Sequence, residues 1–430
     1  MTAAELFVSQ VPGLIPGTVV VSRTGPAVPV MSAPSVVPEA WECHRQKLGP
    51  RPAGGPWLLD AATDLLGCGG GFFPAARKWR AALAGGGPVT VVANAAESEP
   101  LSAKDATLLR LRPHLVLDGL ATLAETLDAS SAVVWMHDTD PGVRASVVRA
   151  LSQRRGRDDI RARVRSVHGG YLAGESSAIK RVLEGGPVAP QFYGFRTPAN
   201  GPAVVVHNVE TLARLALLGR RGPLRPGAGV PSRLLTVLTP SDRRVVEVPD
   251  TTTLGDAVAL VAELSGGDPP GAGSPPDKSA VLMGGFGGLW ARWSDVADLP
   301  VAETSFRERG LTLGAGIVAP LWQDGCGVAL TAAVVGYLAR ESARQCGPCL
   351  FGLPALADGL ARLRDGTVRR RELARVRDDL SLVADRGACH HPDGAVRLVR
   401  SALEVFGDDI AAHAAGTPCG RPGDGIPVPS

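Results

Sequence analysis

Apolar positions follow two different periods along the chain, and the change between them divides it. Val89-Thr90-Val91-Val92-Ala93-Asn94 is a short buried-strand run, and Ala132-Val133-Val134-Trp135-Met136 and the stretch from Ile160 to Val167 are two more. Between them Leu115, Leu117, Leu120, Leu123 and Leu127 mark one face of a helix, and Pro141 to Leu151 reads as another. Strands alternating with helices predict a parallel sheet with crossover helices, an α/β unit over 56–222. Ligands of such sheets lie outside the carboxyl ends of the strands. Residues 1–55 carry only short apolar runs (Val19-Val20-Val21, Val28-Pro29-Val30) with no helical period, and read as an irregular arm.

After a Gly/Pro-rich linker at 222–231, a smaller unit spans 232–295. Leu234 to Leu238 and Val245 to Val248 suit a hairpin, Leu254 to Leu264 a helix, and Ala280 to Met283 a further strand. Over 325–410 the period becomes helical throughout. Val328 to Glu341 is one helix; Leu353, Leu356, Leu360 and Leu363 mark a second. Leu373, Val376, Leu380 and Val383 mark a third, and Val396, Val399, Leu403 and Phe406 a fourth. One apolar stripe on each predicts a four-helix bundle. Residues 416–430 read as a disordered tail.

Composition changes this picture little. A formal charge of +3 with 20% charged residues argues against a nucleic-acid binder. The N-terminus lacks the basic and apolar regions of a signal peptide. The longest nearly apolar run, Cys326 to Ala339, is too short to span a bilayer, so a cytoplasmic protein is expected.

Two groups of residues carry the candidate chemistry. The first is Gly67-Cys68-Gly69-Gly70-Gly71-Phe72-Phe73-Pro74, followed by Lys78 and Trp79 at a helix start. Its glycines let the backbone approach a ligand, and its amides and the lysine suit a phosphate or a flat ring. Taken alone, the stretch fits a plain glycine-rich turn equally well. Asn94-Ala95-Ala96-Glu97-Ser98-Glu99 falls at a strand's carboxyl end, and Gly169-Gly170-Tyr171-Leu172-Ala173-Gly174-Glu175 repeats the strand-then-glycine theme. The second group is Cys346, Cys349 and Cys389. They fall in two connections at the same end of an up-down bundle, where three thiols converge as an iron–sulfur or zinc site needs. A redox dithiol at Cys346-Gly347-Pro348-Cys349 is the other reading. A fourth ligand would come from His390, His391 or Cys419, while Cys326 belongs at the far end of its helix.

In order along 57–407, these motifs resemble the NADH- and flavin-binding subunit of bacterial NADH-quinone oxidoreductase (complex I) and the diaphorase subunits of NAD-reducing hydrogenases and formate dehydrogenases. The likeness also takes in Lys104-Asp105, Leu183-Glu184-Gly185, Asn208-Val209-Glu210-Thr211-Leu212, Leu313-Gly314-Ala315-Gly316 and Glu341-Ser342. It implies a Rossmann-like FMN domain, a small ubiquitin-like domain of the SLBB (β-grasp) type, and a bundle holding a [4Fe-4S] cluster. It implies NADH as substrate, with electrons leaving through FMN and the cluster to a ferredoxin-like or quinone-reductase partner. Carried over by position, Gly67, Gly69, Gly70 and Gly71 lie against FMN and the dinucleotide, and Lys78 faces the phosphate. Asn94 and Asn208 bind flavin edges, and Phe73 stacks on adenine. Glu97, Tyr171 and Gly174 line the pocket, with Glu99 and Glu175 as the catalytic carboxylates. Cys346, Cys349 and Cys389 hold the cluster.

The departures are as specific. Where the family carries Arg, Gly and Gly in and after the loop, this chain has Cys68, Phe72 and Ala76. The second adenine aromatic is Ala81, two acidic positions are Ala96 and Ser176, an Asn is His207, and the first cluster cysteine is Ala343. Each lost stack or hydrogen bond is worth about 1 kcal/mol, so NADH is expected to lose more affinity than FMN. Phe72 in particular threatens to fill the space of the cofactor. A non-catalytic paralogue serving assembly or electron relay is the rival reading, and a dithiol or zinc protein the third.

Overall fold

The computed structural model describes the chain apart from residues 1–5, 11–17, 24–37, 159, 192–201, 222–231, 240–242, 266–279, 323–324, 368–369, 422, 424–425 and 430, so the expected linker lies outside the described residues. Two short strands open it, β1 (Leu6–Gln10) and β2 (Thr18–Arg23), paired antiparallel. The N-terminal region is thus not a wholly irregular arm. The valine run that lacked a helical period has the β-branched chemistry of a strand, and it joins a sheet.

The alternating region contains the three strands read from the sequence and a fourth that was not. β3 (Val89–Asn94), β4 (Ser131–His137), β5 (Ala162–Val167) and β6 (Ala203–Asn208) form an all-parallel sheet in the order β5-β4-β3-β6. Helix Pro113–Thr126 packs on helix Val209–Arg221 so closely that a Cβ on Gly119 would stand 1.9 Å from the Leu212 carbonyl oxygen. The chain steps from β3 outward to β4 and β5, then returns to the other side of β3 with β6. That reversal opens a crevice between the carboxyl ends of β3 and β6, where such sheets bind ligands. Asn94 and Asn208 end the two strands and are register partners.

The second sheet adds β7 (Ser232–Leu238), β8 (Arg243–Pro249), β9 (Ala280–Met283), β10 (Leu289–Arg292) and β11 (Ile317–Pro320). Its order is β1-β2-β8-β7-β11-β9-β10. β11 inserts between β7, to which it is parallel, and β9, so this unit runs past residue 295 to Pro320. With only four residues, β11 gave no periodic signal. Its connection carries Leu313-Gly314-Ala315-Gly316 back toward the crevice.

The helical end contains Gly327–Arg340, Leu353–Arg364, Arg370–Val383 and His391–Val405, each within a few residues of its expected span. A fifth helix, Gly407–Ala414, follows them without a clear signal in the sequence. Nor are the described residues after it a loose tail: Ile426 is buried, and Arg340 donates to the Pro429 carbonyl at 3.1 Å.

Candidate functional site

A cavity of about 530 Å³ opens at the β3/β6 crevice, within the range of small-molecule sites. The glycine loop lines one side through Gly67, Gly69, Gly70, Gly71 and Phe73. Gly67 N–H donates to the Phe73 carbonyl at 3.1 Å, closing the loop on itself. Gly70 takes φ +95°, a left-handed conformation that suits glycine, and a Cβ on Gly71 would meet nothing within 4 Å. Backbone is therefore presented bare to the open side. Phe73, 45% exposed, stands at the mouth with the Arg77 guanidinium 5.7 Å from its ring centre.

Phe72 borders the cavity without filling it. Its ring is 4% exposed and joins an apolar cluster with Val246, Met283 and Leu313 of the second unit. The Arg233 and Arg307 guanidiniums lie over it at 5.3 and 5.7 Å. A backbone φ of +45° turns the side chain that way. Such a conformation costs about 1–2 kcal/mol in a non-glycine residue, which the buried ring offsets.

The charges around the cavity fall into two kinds. Lys104 is buried and ion-paired to Asp105 (2.7 Å) and Glu210 (3.0 Å), and donates to Asn208 Oδ1 at 3.3 Å. Burial alone would depress its pKa, yet the two carboxylates hold it above the ordinary lysine value. Burial likewise opposes ionisation of Glu210, but Lys104 and Arg214 pull it down to about 2. Lys78 is different. Its Nζ donates to the Val206 carbonyl at 2.8 Å, and it has no carboxylate partner among the described residues. Burial, with repulsion from Lys180, lowers its pKa to about 8.

Glu99 is the anionic counterpart. Its Oε2 accepts from Tyr171 Oη and Phe286 N–H, both at 2.9 Å, while its Oε1 is buried without a partner. Burial pushes its pKa up to about 7. The other two carboxylates are committed to helix starts. Glu97 accepts from Asp105 N–H (3.0 Å), Ala106 N–H (2.9 Å) and the Ser102 hydroxyl, capping helix Lys104–Leu111. Glu175 accepts from Ser177 and Ala178 N–H at 2.7 and 3.0 Å, capping helix Ser176–Leu183. The Asn94 amide spans Gly174 O (2.8 Å) and Ala96 N–H (3.2 Å), so it braces the loop carrying Gly174. His207 accepts from Trp79 Nε1 at 2.7 Å, and burial holds its pKa well below the ordinary value, the pattern of a packed neutral imidazole.

Every cofactor or catalytic residue expected from sequence thus borders one cavity. Several contributors were missed. Gly284, Gly287 and Gly288 come from the second sheet, and Glu99 fastens their loop through Phe286. Their signal was present as a second glycine-rich stretch, Gly284-Gly285-Phe286-Gly287-Gly288. Glu341, at the end of helix Gly327–Arg340, lies behind the lining and accepts from Tyr171 N–H at 2.8 Å.

The helical unit closes the far wall with Leu338, His390 and His391. Cys389 is the residue next to His390, and its thiol lies within electrostatic reach of Glu175. Burial, then the neighbouring thiols of Cys346 and Cys389, push Cys349 up to about 12. The thiols of the two connections thus lie within electrostatic reach of one another. Of the considered fourth ligands, His390 is exposed and faces Asp393, and His391 Nε2 bonds the Leu338 carbonyl at 2.8 Å with Nδ1 buried and unpartnered. Cys419 is excluded: it packs against His413, at the other end of the unit.

A crevice lined by a bare glycine loop with a buried lysine beside it suits the class of proteins that bind a flat, phosphate-bearing cofactor. Two family models match the chain. The FMN-binding domain of Nuo51 matches residues 61–217, and the iron–sulfur binding region of NADH-ubiquinone oxidoreductase-F matches 329–413. The chain is 26% identical over 382 residues to an NADH-quinone oxidoreductase subunit of Rhizobium meliloti (strain 1021), covering 82% of this chain and 86% of that protein. It is 25% identical over 383 residues to the corresponding NADH-quinone oxidoreductase subunit of Streptomyces coelicolor, covering 83% and 82%. A crystal structure of an NAD+-reducing [NiFe]-hydrogenase in the H2-reduced state superposes with a TM-score of 0.70 at 24% identity, over 83% of this chain. The chain spans only 62% of that hydrogenase chain. Over most of its length the chain is therefore similar to the flavoprotein subunits of NADH-quinone oxidoreductases, from which it diverges widely in sequence.

Proposed function

We propose that the chain is the NADH-oxidising subunit of a larger assembly, passing electrons through FMN to an iron–sulfur cluster and on to an iron–sulfur or ferredoxin-like partner. One observation carries the reading: the glycine loop, Lys78 and the wall beside Cys389 enclose a single cavity. The residues present fit FMN. Lys78 has no carboxylate partner among the described residues, and Gly71 leaves its side of the loop open. For a cluster the ligands would be Cys346, Cys349 and Cys389, whose thiols lie within electrostatic reach of one another. No further cysteine among the described residues joins them; Ala343 occupies the position the family gives to a fourth.

When bound, FMN supplies the conversion between the electron pair of a hydride and the single electrons a cluster carries. The chain's own residues prepare that meeting. Lys78 neutralises the phosphate, and the amides of the glycine loop add donors to it. Phe73 offers a ring face at the mouth for adenine. Glu99 and Tyr171 lock the Gly284–Gly288 loop and keep the inner wall in place. The capping by Glu97 and Glu175 fixes the helices that carry the rim. The parallel unit acts as a Rossmann-like FMN domain, the second sheet as an SLBB-like β-grasp, and the helices as a four-helix bundle. No helix of the described residues is long and apolar enough to cross a membrane.

Protein purified anaerobically and supplied with FMN should hold about one flavin per chain, carry iron with acid-labile sulfide, and reduce ferricyanide with NADH. Failure to take up flavin would overturn the reading.

A further inference from the structure

A second group of metal-ligating side chains lies at the opposite end of helix Gly327–Arg340, about 20 Å from the cluster cysteines by helix rise. We propose that Cys326, His413 and Cys419 hold one zinc ion that fastens the C-terminal segment to the helical unit. The ligand atoms of all three lie within 4.8 Å of one another. Cys326 Sγ is 3.7 Å from His413 Nε2, and Cys419 Sγ is 3.4 Å from the same nitrogen. A tetrahedral zinc with Zn–S of about 2.3 Å and Zn–N of about 2.0 Å sets its S···N edges near 3.5 Å. The observed edges bracket that value without an ion present to draw them together.

The surroundings orient each ligand. His413 Nδ1 faces the carbonyls of Leu363 (3.2 Å) and Arg364 (3.0 Å), and both can only accept. The ring proton therefore sits on Nδ1, and the Nε2 lone pair is turned toward both sulfurs, the outer-shell arrangement of metal-bound histidine. Cys419 N–H also points at Nε2 at 3.3 Å, a long contact that an ion would displace. Cys326 caps its helix, with Ala329 N–H donating to Sγ at 3.3 Å, which fixes the sulfur beside His413. Cys326 and His413 are buried and Cys419 is half-buried, which leaves the fourth position open to a water. Two thiolates and a neutral imidazole balance a divalent cation, and binding releases the two thiol protons to solvent. The consequence is mechanical. Residues after Gly416 gain a covalent-strength tie between helix Gly407–Ala414 and the start of helix Gly327–Arg340.

The test uses the full chain carrying Cys346→Ser, Cys349→Ser and Cys389→Ser, reduced and stripped with chelator, then titrated with Co2+ alone. One equivalent should bind with thiolate-to-cobalt charge-transfer and intense visible bands, and Zn2+ should displace it. Adding Cys419→Ser, at a half-buried position, should weaken Co2+ binding at least a hundredfold while circular dichroism stays unchanged. Absence of a thiolate–cobalt band, or binding indifferent to Cys419→Ser, would overturn the site. So would recovery of a Cys326–Cys419 disulfide from protein that takes up no metal.

Discussion

Two sets of charges share the cavity and obey opposite rules. Lys104, Asp105, Glu210 and Asn208 form a closed network in which every charge meets its opposite within 3.0 Å. Lys78 and Glu99 border the same space with hydrogen bonds only, and no opposite charge among the described residues. In the closed set Lys104 and Glu210 hold their charges at neutral pH because they stabilise each other, while burial raises the pKa of Asp105. The lone pair of residues is pushed toward neutrality by burial, Lys78 to about 8 and Glu99 to about 7. A closed network stiffens the fold, whereas a lone buried charge is a standing cost that a ligand can relieve.

The largest effect should come from opening the closed set. Lys104→Met leaves Asp105 and Glu210 buried without their cation, and removal of one partner of a buried pair typically costs about 3–5 kcal/mol. Urea unfolding should show that loss in the protein without cofactor. A loss below about 1 kcal/mol would mean that the network is not structural. Lys78→Met should behave in the opposite way. It removes a desolvated charge, so stability without cofactor should hold or rise slightly. FMN affinity should fall about ten- to a hundredfold, the worth of a charge-assisted bond to phosphate. The wild-type affinity should also weaken above about pH 8, as Lys78 loses its proton, and this dependence should vanish in the variant. Fluorescence titration of FMN across pH measures both. Equal affinities would sever Lys78 from the phosphate. A third contrast separates the thiols: Cys389→Ser should abolish any iron–sulfur signal in electron paramagnetic resonance, whereas Cys326→Ser leaves it intact.

Much of this was legible in the sequence, for reasons that differ by region. The parallel sheet and the helices announced themselves because strand and helix periods are local. Asn94 was readable as a strand end, whereas Asn208 was not, and their register pairing is a product of topology. β11 was invisible because four buried residues fit any apolar segment, and β1–β2 were hidden by flanking Pro and Gly. The consequence of Phe72 is not local either. The sequence shows a bulky side chain inside a glycine loop, and only the left-handed backbone and the two arginines reveal that it faces the neighbouring unit. Cys419 suits the wrong site in the sequence because its six-residue spacing from His413 matters only once helix Gly407–Ala414 turns back.

The finest test of the comparison is Glu99→Gln. Glutamine keeps an acceptor for Tyr171 and Phe286 and mimics the protonated acid. Glu99 has its folded-state pKa raised from the ordinary 4.5 to about 7, so the folded protein favours the neutral form. Its contribution is therefore fully present below about pH 4.5 and is lost as pH rises through about 7. Wild type and variant should be equally stable near pH 4.5 and diverge above it, the variant becoming the more stable by about 1–2 kcal/mol at pH 8. Each pKa unit corresponds to about 1.4 kcal/mol, reduced here because the cavity admits solvent. Thermal melts from pH 4.5 to 8 resolve that divergence. Parallel curves would show Glu99 ionised at ordinary pH, and with that the distinction between the lone and the networked carboxylates would fail.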